Sequence, residues 1–194
     1  MINMIEFRGF PKIARLSREI VITEKIDGTN ASIYISEDLS PITCESGRVI
    51  PFLVGSRTRW IFPENDNHGF ARWAYDHAND LLKLGKGQHF GEWWGQGINR
   101  NYGLTEKRFS LFNVAKWGDD TVRPECCRIV PVLYRGMFDT QIIEGVLKQL
   151  SIDGSYAEKN FMKPEGIVIY HTHGNLFFKK TIEGDEKPKS VKDE

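Results

Sequence analysis

The sequence predicts an α+β fold of mostly antiparallel sheets with covering helices. Strand signals dominate the chain, in nine short runs each bounded by turn-forming residues. Only two stretches carry helical spacing. Apolar residues make up 40% and aromatics 12% of the 194 residues, with five Trp and twelve Phe, which calls for one packed catalytic-size domain rather than a disordered chain.

In chain order, residues 20–26 and 30–36 read as the first two strands, separated by Asp27-Gly28, and 41–50 and 52–60 follow as two more. The first helix is predicted over 69–84, where Phe70, Ala74, Ala78, Leu81 and Leu82 recur at helical spacing. Asp66-Asn67 are its candidate caps and Gly85 its stop. Strands at 88–94, 108–114 and 129–134 come next. Ile142, Ile143, Val146, Leu147 and Leu150 form the apolar stripe of a second helix over 141–150, with Thr140 as N-cap and Gly154 beyond its end. Strands 166–171 and 176–181 close the fold. His171 and His173 alternate at the end of the first of these, and with no Cys or third His nearby they read as a solvated turn rather than a metal site. Residues 1–182 are thus expected to form the domain, and 183–194, rich in Lys, Asp and Glu, a flexible charged tail.

Composition narrows the function classes. No apolar run approaches the roughly 20 residues of a membrane span, and the first residues carry neither a basic leader nor a cleavage site. Cys44, Cys126 and Cys127 are an odd set without zinc-knuckle or redox spacing, which fits a reducing cytoplasm. The formal net charge is zero, so affinity for nucleic acid would rest on local clusters: Arg8, Lys12, Arg15 and Arg18, then Arg57 and Arg59, then Lys179 and Lys180.

Six motifs follow one another in order. Thr23-Glu24-Lys25-Ile26-Asp27-Gly28-Thr29-Asn30 sets a lysine at a strand end before a tight turn. Gly55-Ser56-Arg57-Thr58-Arg59 sets two arginines two residues apart on a probable strand. Phe90-Gly91-Glu92-Trp93-Trp94-Gly95 buries a carboxylate in an aromatic strand, where it must face a polar cleft, a cation or metal-bound water. Phe109 to Asn113 includes an aromatic at a strand end, and Glu165-Gly166-Ile167-Val168-Ile169 opens an apolar strand with an acid. Phe178-Lys179-Lys180 comes last. A free lysine, with a pKa of about 10.4, is protonated at neutral pH and cannot attack phosphorus. Nearby cations would have to favour its neutral form.

On these residues the chain resembles the covalent nucleotidyltransferase superfamily of ATP-dependent ligases and capping enzymes, and within it the phage-type RNA ligase 2 family, over residues 10–189. The resemblance implies an ATP-grasp-like nucleotidyltransferase domain. It also implies an AMP-forming RNA ligase in which Lys25 becomes a lysyl-AMP and passes the AMP to a 5′-phosphate, which a 3′-hydroxyl then attacks. By the same resemblance Lys25, Asp27, Glu92, Glu165, Lys179 and Lys180 are the catalytic set. ATP would contact Glu24, Lys25, Gly28, Asn30, Arg57, Glu92, Phe112, Glu165, Lys179 and Lys180. Glu24 and its backbone neighbours would read the adenine edge, Phe112 stack on the ring, Glu92 lie near the ribose, and Arg57 meet the ribose or the nick phosphate. Asp27, Glu92 and Glu165 would hold Mg2+ or Mn2+ through water.

Two departures qualify the resemblance. The family spaces its last two lysines one residue apart, whereas Lys179 and Lys180 are adjacent and face opposite sides of a strand, which favours Lys179. Only a short tail follows the last strand, so the ends of the nucleic acid would be held by a partner protein, by the sheet face with the basic N-terminal segment, or by the RNA's own fold. DNA or hybrid nicks, a GTP-using capping reaction and a non-catalytic nucleic-acid-binding module remain open alternatives at this stage.

Overall fold

A computed structural model describes residues 6, 8–44 and 46–185, so most of the charged tail lies outside the described residues. Two twisted sheets face each other across a cleft. The first has β1 (Glu19–Lys25) near its centre. The second begins with β2 (Thr29–Ile35), so the two-sheet crossing falls at the Ile26–Gly28 turn. After a two-residue hairpin of β3 (Ile42–Thr43) and β4 (Val49–Ile50) come β5 (Leu53–Gly55), β6 (Trp60–Ile61), α1 (Phe70–Asp76), α2 (Ala78–Leu81), β7 (Gly87–Gly95), β8 (Lys107–Leu111), α3 (Val114–Trp117) and β9 (Cys127–Ile129). The chain then returns to the first sheet with β10 (Val132–Met137), α4 (Thr140–Asp153), β11 (Gly166–His171) and β12 (Leu176–Thr181). Strand order is β10-β1-β11-β12 in the first sheet and β6-β5-β2-β7-β8-β9 in the second. All pairings are antiparallel except β8 with β9.

Each sheet is sealed on its outer face by the helices. Ile20, Ile22, Ile167 and Ile169 pack on Leu150 of α4, with Ile143, Val146 and Leu147 completing the stripe. Ala31, Ile33, Ile35, Trp93, Phe109 and Leu111 pack on Phe70, Ala74 and Leu81. A smaller cluster of Ile26, Trp94, Tyr102 and Val130 lies by the crossing turn. Because residues alternate along a strand, burying these positions turns Val21, Thr23, Lys25, Asn30, Phe90, Glu92, Val168 and Tyr170 toward the cleft.

Several expected elements differ in extent. The 41–50 run folds back on itself at Ser46-Gly47, with Gly47 at φ 79°, and 52–60 is broken by a turn closed by Ser56 N donating to Arg59 O. The first helix breaks at His77, whose ring contacts the Trp73 carbonyl at 2.8 Å and whose backbone leaves helical geometry. Asp66 does serve its N-terminus, accepting from Ala71 N and Arg72 N at 2.7 and 3.0 Å. Asp139, not Thr140, caps α4, accepting from Gln141 N at 2.7 Å, and the helix runs three residues past Leu150 to Gly154 at φ 82°. Residues 127–137 split between the two sheets at Val130-Pro131, since proline cannot donate to a ladder. Asn113 ends β8 early by capping α3. His171 is buried rather than solvated: its ring bonds Leu16 O at 2.8 Å and accepts from Gly174 N at 2.9 Å, tying residues 14–18 to the β11–β12 turn. Among the described residues no helix is long and apolar enough to cross a membrane.

Candidate active site

Lys25 ends β1 directly opposite Gly166, so the residue before Gly166 comes alongside it. Lys25 Nζ lies 2.5 Å from Glu165 Oε2, and the glutamate is only 3% exposed. A carboxylate this deep needs its cation, and the pair fixes the amine on the cleft floor. Gly166 itself admits no side chain, because a Cβ there would collide with the Lys180 carbonyl of β12.

The turn after Lys25 is pressed against β7. A Cβ at Gly28 would stand 2.5 Å from Trp93 O and 2.7 Å from Trp94 Cβ, so glycine is required by the approach of the two backbones. Gly28 N donates to Glu92 Oε1 at 3.1 Å. Glu92 faces the cleft beside Asn30, its cross-strand partner. Burial pushes its pKa up from the ordinary 4.5 to about 7, against the Lys25 charge and the Gly28 hydrogen bond, which pull it down.

That shift has a testable consequence. The folded chain keeps a proton on Glu92 where an unfolded glutamate has lost it, so Glu92 makes stability fall as pH rises from about 4.5 to about 7. Glu92→Gln retains the acceptor for Gly28 and cannot ionise. It is expected to match the parent protein near pH 4 and to exceed it above pH 7.5 by up to about 3 kcal/mol in urea unfolding. An unchanged slope would show that Glu92 is ionised throughout. Glu24, also pushed up by burial, accounts for the slope expected to remain.

Asp27 is engaged on both oxygens. Asn99 Nδ2 donates to Oδ1 at 2.9 Å and Arg100 Nε to Oδ2 at 3.0 Å, while Asp27 N donates to the Tyr102 hydroxyl at 2.8 Å. These contacts hold the turn behind Lys25 against the β7–β8 loop. Glu24 is on the α4 side of β1, 1% exposed. Ser155 Oγ, Tyr156 N and Ala157 N donate to its carboxylate at 2.6, 2.7 and 2.9 Å. These bonds tie Glu24 to the α4–β11 connection, and Glu24 also lines the cleft.

Phe112 follows β8 at the cleft wall, 36% exposed, facing Val168 and Tyr170 on the opposite sheet as fellow lining residues. Arg57 is exposed in the β5–β6 turn, outside the lining. Lys179 pairs with Val168 and shares its cleft-facing side, whereas Lys180 pairs with Ile167 and turns toward α4, its ammonium 3.1 Å from Glu144. Lys179 and Lys180 thus point to opposite sides of β12, and Thr181 occupies the row of Lys25 and Gly166. The cleft measures about 760 Å³, ample for a nucleotide. Among the described residues no three His, Cys, Asp or Glu side chains converge to hold a metal directly. Glu92 and Glu165, flanking Lys25, suit a hydrated ion that keeps several waters.

Asn99, Arg100, Tyr102 and Ser155 were not singled out by the sequence. The first three lie in Gly95-Gln96-Gly97-Ile98-Asn99-Arg100-Asn101-Tyr102-Gly103, whose Gly and Asn density signals a turn-rich loop but not its target.

A family model described as RNA ligase matches residues 18–182. No curated protein matches the sequence significantly. Among solved structures, Naegleria gruberi RNA ligase in an apo mutant form is similar with a TM-score of 0.59 and 20% identity, over 85% of this chain and 50% of that one. A mutant of the same ligase with AMP and Mn gives 0.59 and 20%, over 86% and 50%. Another with ATP and Mn gives 0.57 and 20%, over 85% and 49%. The chain spans about half the length of these ligases, and at this identity the likeness is one of fold.

Proposed function

This chain belongs to the RNA ligase family, and from that premise we propose that it is the adenylyl-transferring domain of an ATP-dependent ligase that seals RNA strands through a lysyl-AMP. The observation that carries the reading is the Lys25–Glu165 pair at 2.5 Å on the floor of a nucleotide-sized cleft. Glu92 beside it and Lys179 on the same face complete a site with acids for a hydrated metal and a cation for phosphate. The solved ligases of similar fold are described with ATP or AMP and Mn, which supports ATP with Mg2+ or Mn2+ as the cofactors here.

Glu165 holds the Lys25 amine in place. When the amine loses its proton, Nζ attacks the α-phosphorus; an N–P bond forms, the bond to the bridging oxygen breaks, and pyrophosphate leaves. Bound divalent metal would neutralise charge developing on the phosphates. Lys179 is suited to steady the α-phosphate, while Phe112 offers a flat face and Val168 an apolar contact to the adenine. The AMP then passes to a 5′-phosphate, and attack by a 3′-hydroxyl seals the strand and releases AMP.

The test is discharge of the adduct. Protein charged with labelled ATP and magnesium is chased with nicked RNA and nicked DNA duplexes, and label is followed from protein to strand end to free AMP. Sealing of RNA with release of AMP is expected. Discharge only on DNA would overturn the RNA assignment, charging only by GTP would point to capping chemistry, and no charging at all would leave a binding module.

A further inference from the structure

We propose that Arg100 is a positioning residue for the nucleophile, clamping the turn behind Lys25 to the segment that delivers Glu165. The inference rests on the adenylyl-transfer reading and adds a residue to it. Its guanidinium reaches two places at once. Nε donates to Asp27 Oδ2 at 3.0 Å, two residues beyond Lys25, and Nη1 donates to Lys163 O at 3.0 Å, two residues before Glu165. These two segments are about 140 residues apart in the chain, and their meeting sets the distance between amine and carboxylate.

The rest of the β7–β8 loop is shaped for the same task. Asn99 Nδ2 donates to both Asp27 Oδ1 and Gly28 O, at 2.9 and 2.7 Å. The Tyr102 hydroxyl accepts from Asp27 N, while its ring lies 4.4 Å from that of Phe161 in the Glu165 segment. To present these groups the loop holds Asn99, Asn101 and Tyr102 in the left-handed region, at φ 43°, 61° and 53°. Asparagine adopts that region readily, but a bulky buried tyrosine is strained there and persists only where surrounding contacts over-determine it. A guanidinium fork bridges two acceptors in one plane; a lysine ammonium presents the charge without the fork. Arg100 touches neither ATP nor the reacting atoms in this scheme and acts through Lys25 and Glu165.

Adduct formation measured in single turnover separates positioning from folding and from ATP binding. Arg100→Ala is expected to slow the step at saturating ATP by about 100-fold, the cost of a roughly 1 Å misplacement. The half-saturating ATP concentration should change by less than about threefold. Arg100→Lys should recover less than about a tenth of the lost rate, and serves as the comparison if the alanine variant does not fold. Combining Arg100→Ala with Asp27→Asn should slow the reaction no further than Arg100→Ala alone, since both act on one clamp. A rate at saturating ATP within threefold of the parent, a loss confined to ATP affinity, or full rescue by lysine would overturn the proposal. Failure of the parent protein itself to form an adduct would instead overturn the adenylyl-transfer reading on which it rests.

Discussion

Lys25→Ala is expected to abolish covalent adenylylation while leaving a folded protein. The expected loss is complete because Nζ is the group that forms the bond, and no methyl can replace it. Stability should move much less. Truncation removes the cation from Glu165, which is 3% exposed, and an uncompensated buried charge costs about 3–5 kcal/mol when nothing else adjusts. The Lys25 side chain is 21% exposed, so water can enter the vacated space, and the cost is expected at or below the lower end of that range. Mass measurement after incubation with ATP checks the first expectation, and urea unfolding the second. A Lys25→Ala protein that still carries AMP would assign the nucleophile elsewhere.

Glu24→Ala is expected to be among the most destabilising single changes in the chain, at about 3 kcal/mol. Three donors from Ser155, Tyr156 and Ala157 converge on the carboxylate, and Ser155 is itself buried. Alanine leaves them without an acceptor, and each orphaned buried donor costs about 1–3 kcal/mol before local relaxation. For a chain of this size the melting temperature should fall by roughly 6–12 °C. Glu24→Gln, which keeps one acceptor oxygen but adds a donor facing Tyr156 N or Ser155, should fall between the two. The contrast with a ligand-reading role is direct. If the carboxylate served only to contact adenine, melting without nucleotide would be unaffected and the loss would appear solely in ATP affinity.

The central strands were legible because their periodicity and burial agree: β1, β2, β7, β11 and β12 lie within about one residue of their expected limits. The same alternation that buries Ile167 and Ile169 turns Lys179 and Lys180 to opposite sides, and this too could be read in advance. What escaped reading was punctuation inside continuous patterns. Nothing in the apolar spacing of 69–84 marks His77 as a break, because the stripe continues across it. The parting of β9 from β10 is written in Pro131, but one proline does not say that the next strand joins another sheet. Within the site, Lys25, Glu92 and Glu165 stood out as charged residues embedded in apolar strands. Asn99, Arg100 and Tyr102 did not, since a polar loop carries no periodic signal and their partners lie more than 60 residues away. Glu24 was visible as a charge in an apolar strand, but its three donors were not, since they come from a connection some 130 residues later.

The central claim is that this cleft charges Lys25 with AMP, and intact-protein mass measurement with peptide mapping tests it most directly. After incubation with ATP and magnesium, the parent protein should gain the mass of one adenylyl group, on the peptide containing Lys25, and lose it again when pyrophosphate is added. No gain in mass, or an adduct mapped to any other residue, would contradict it.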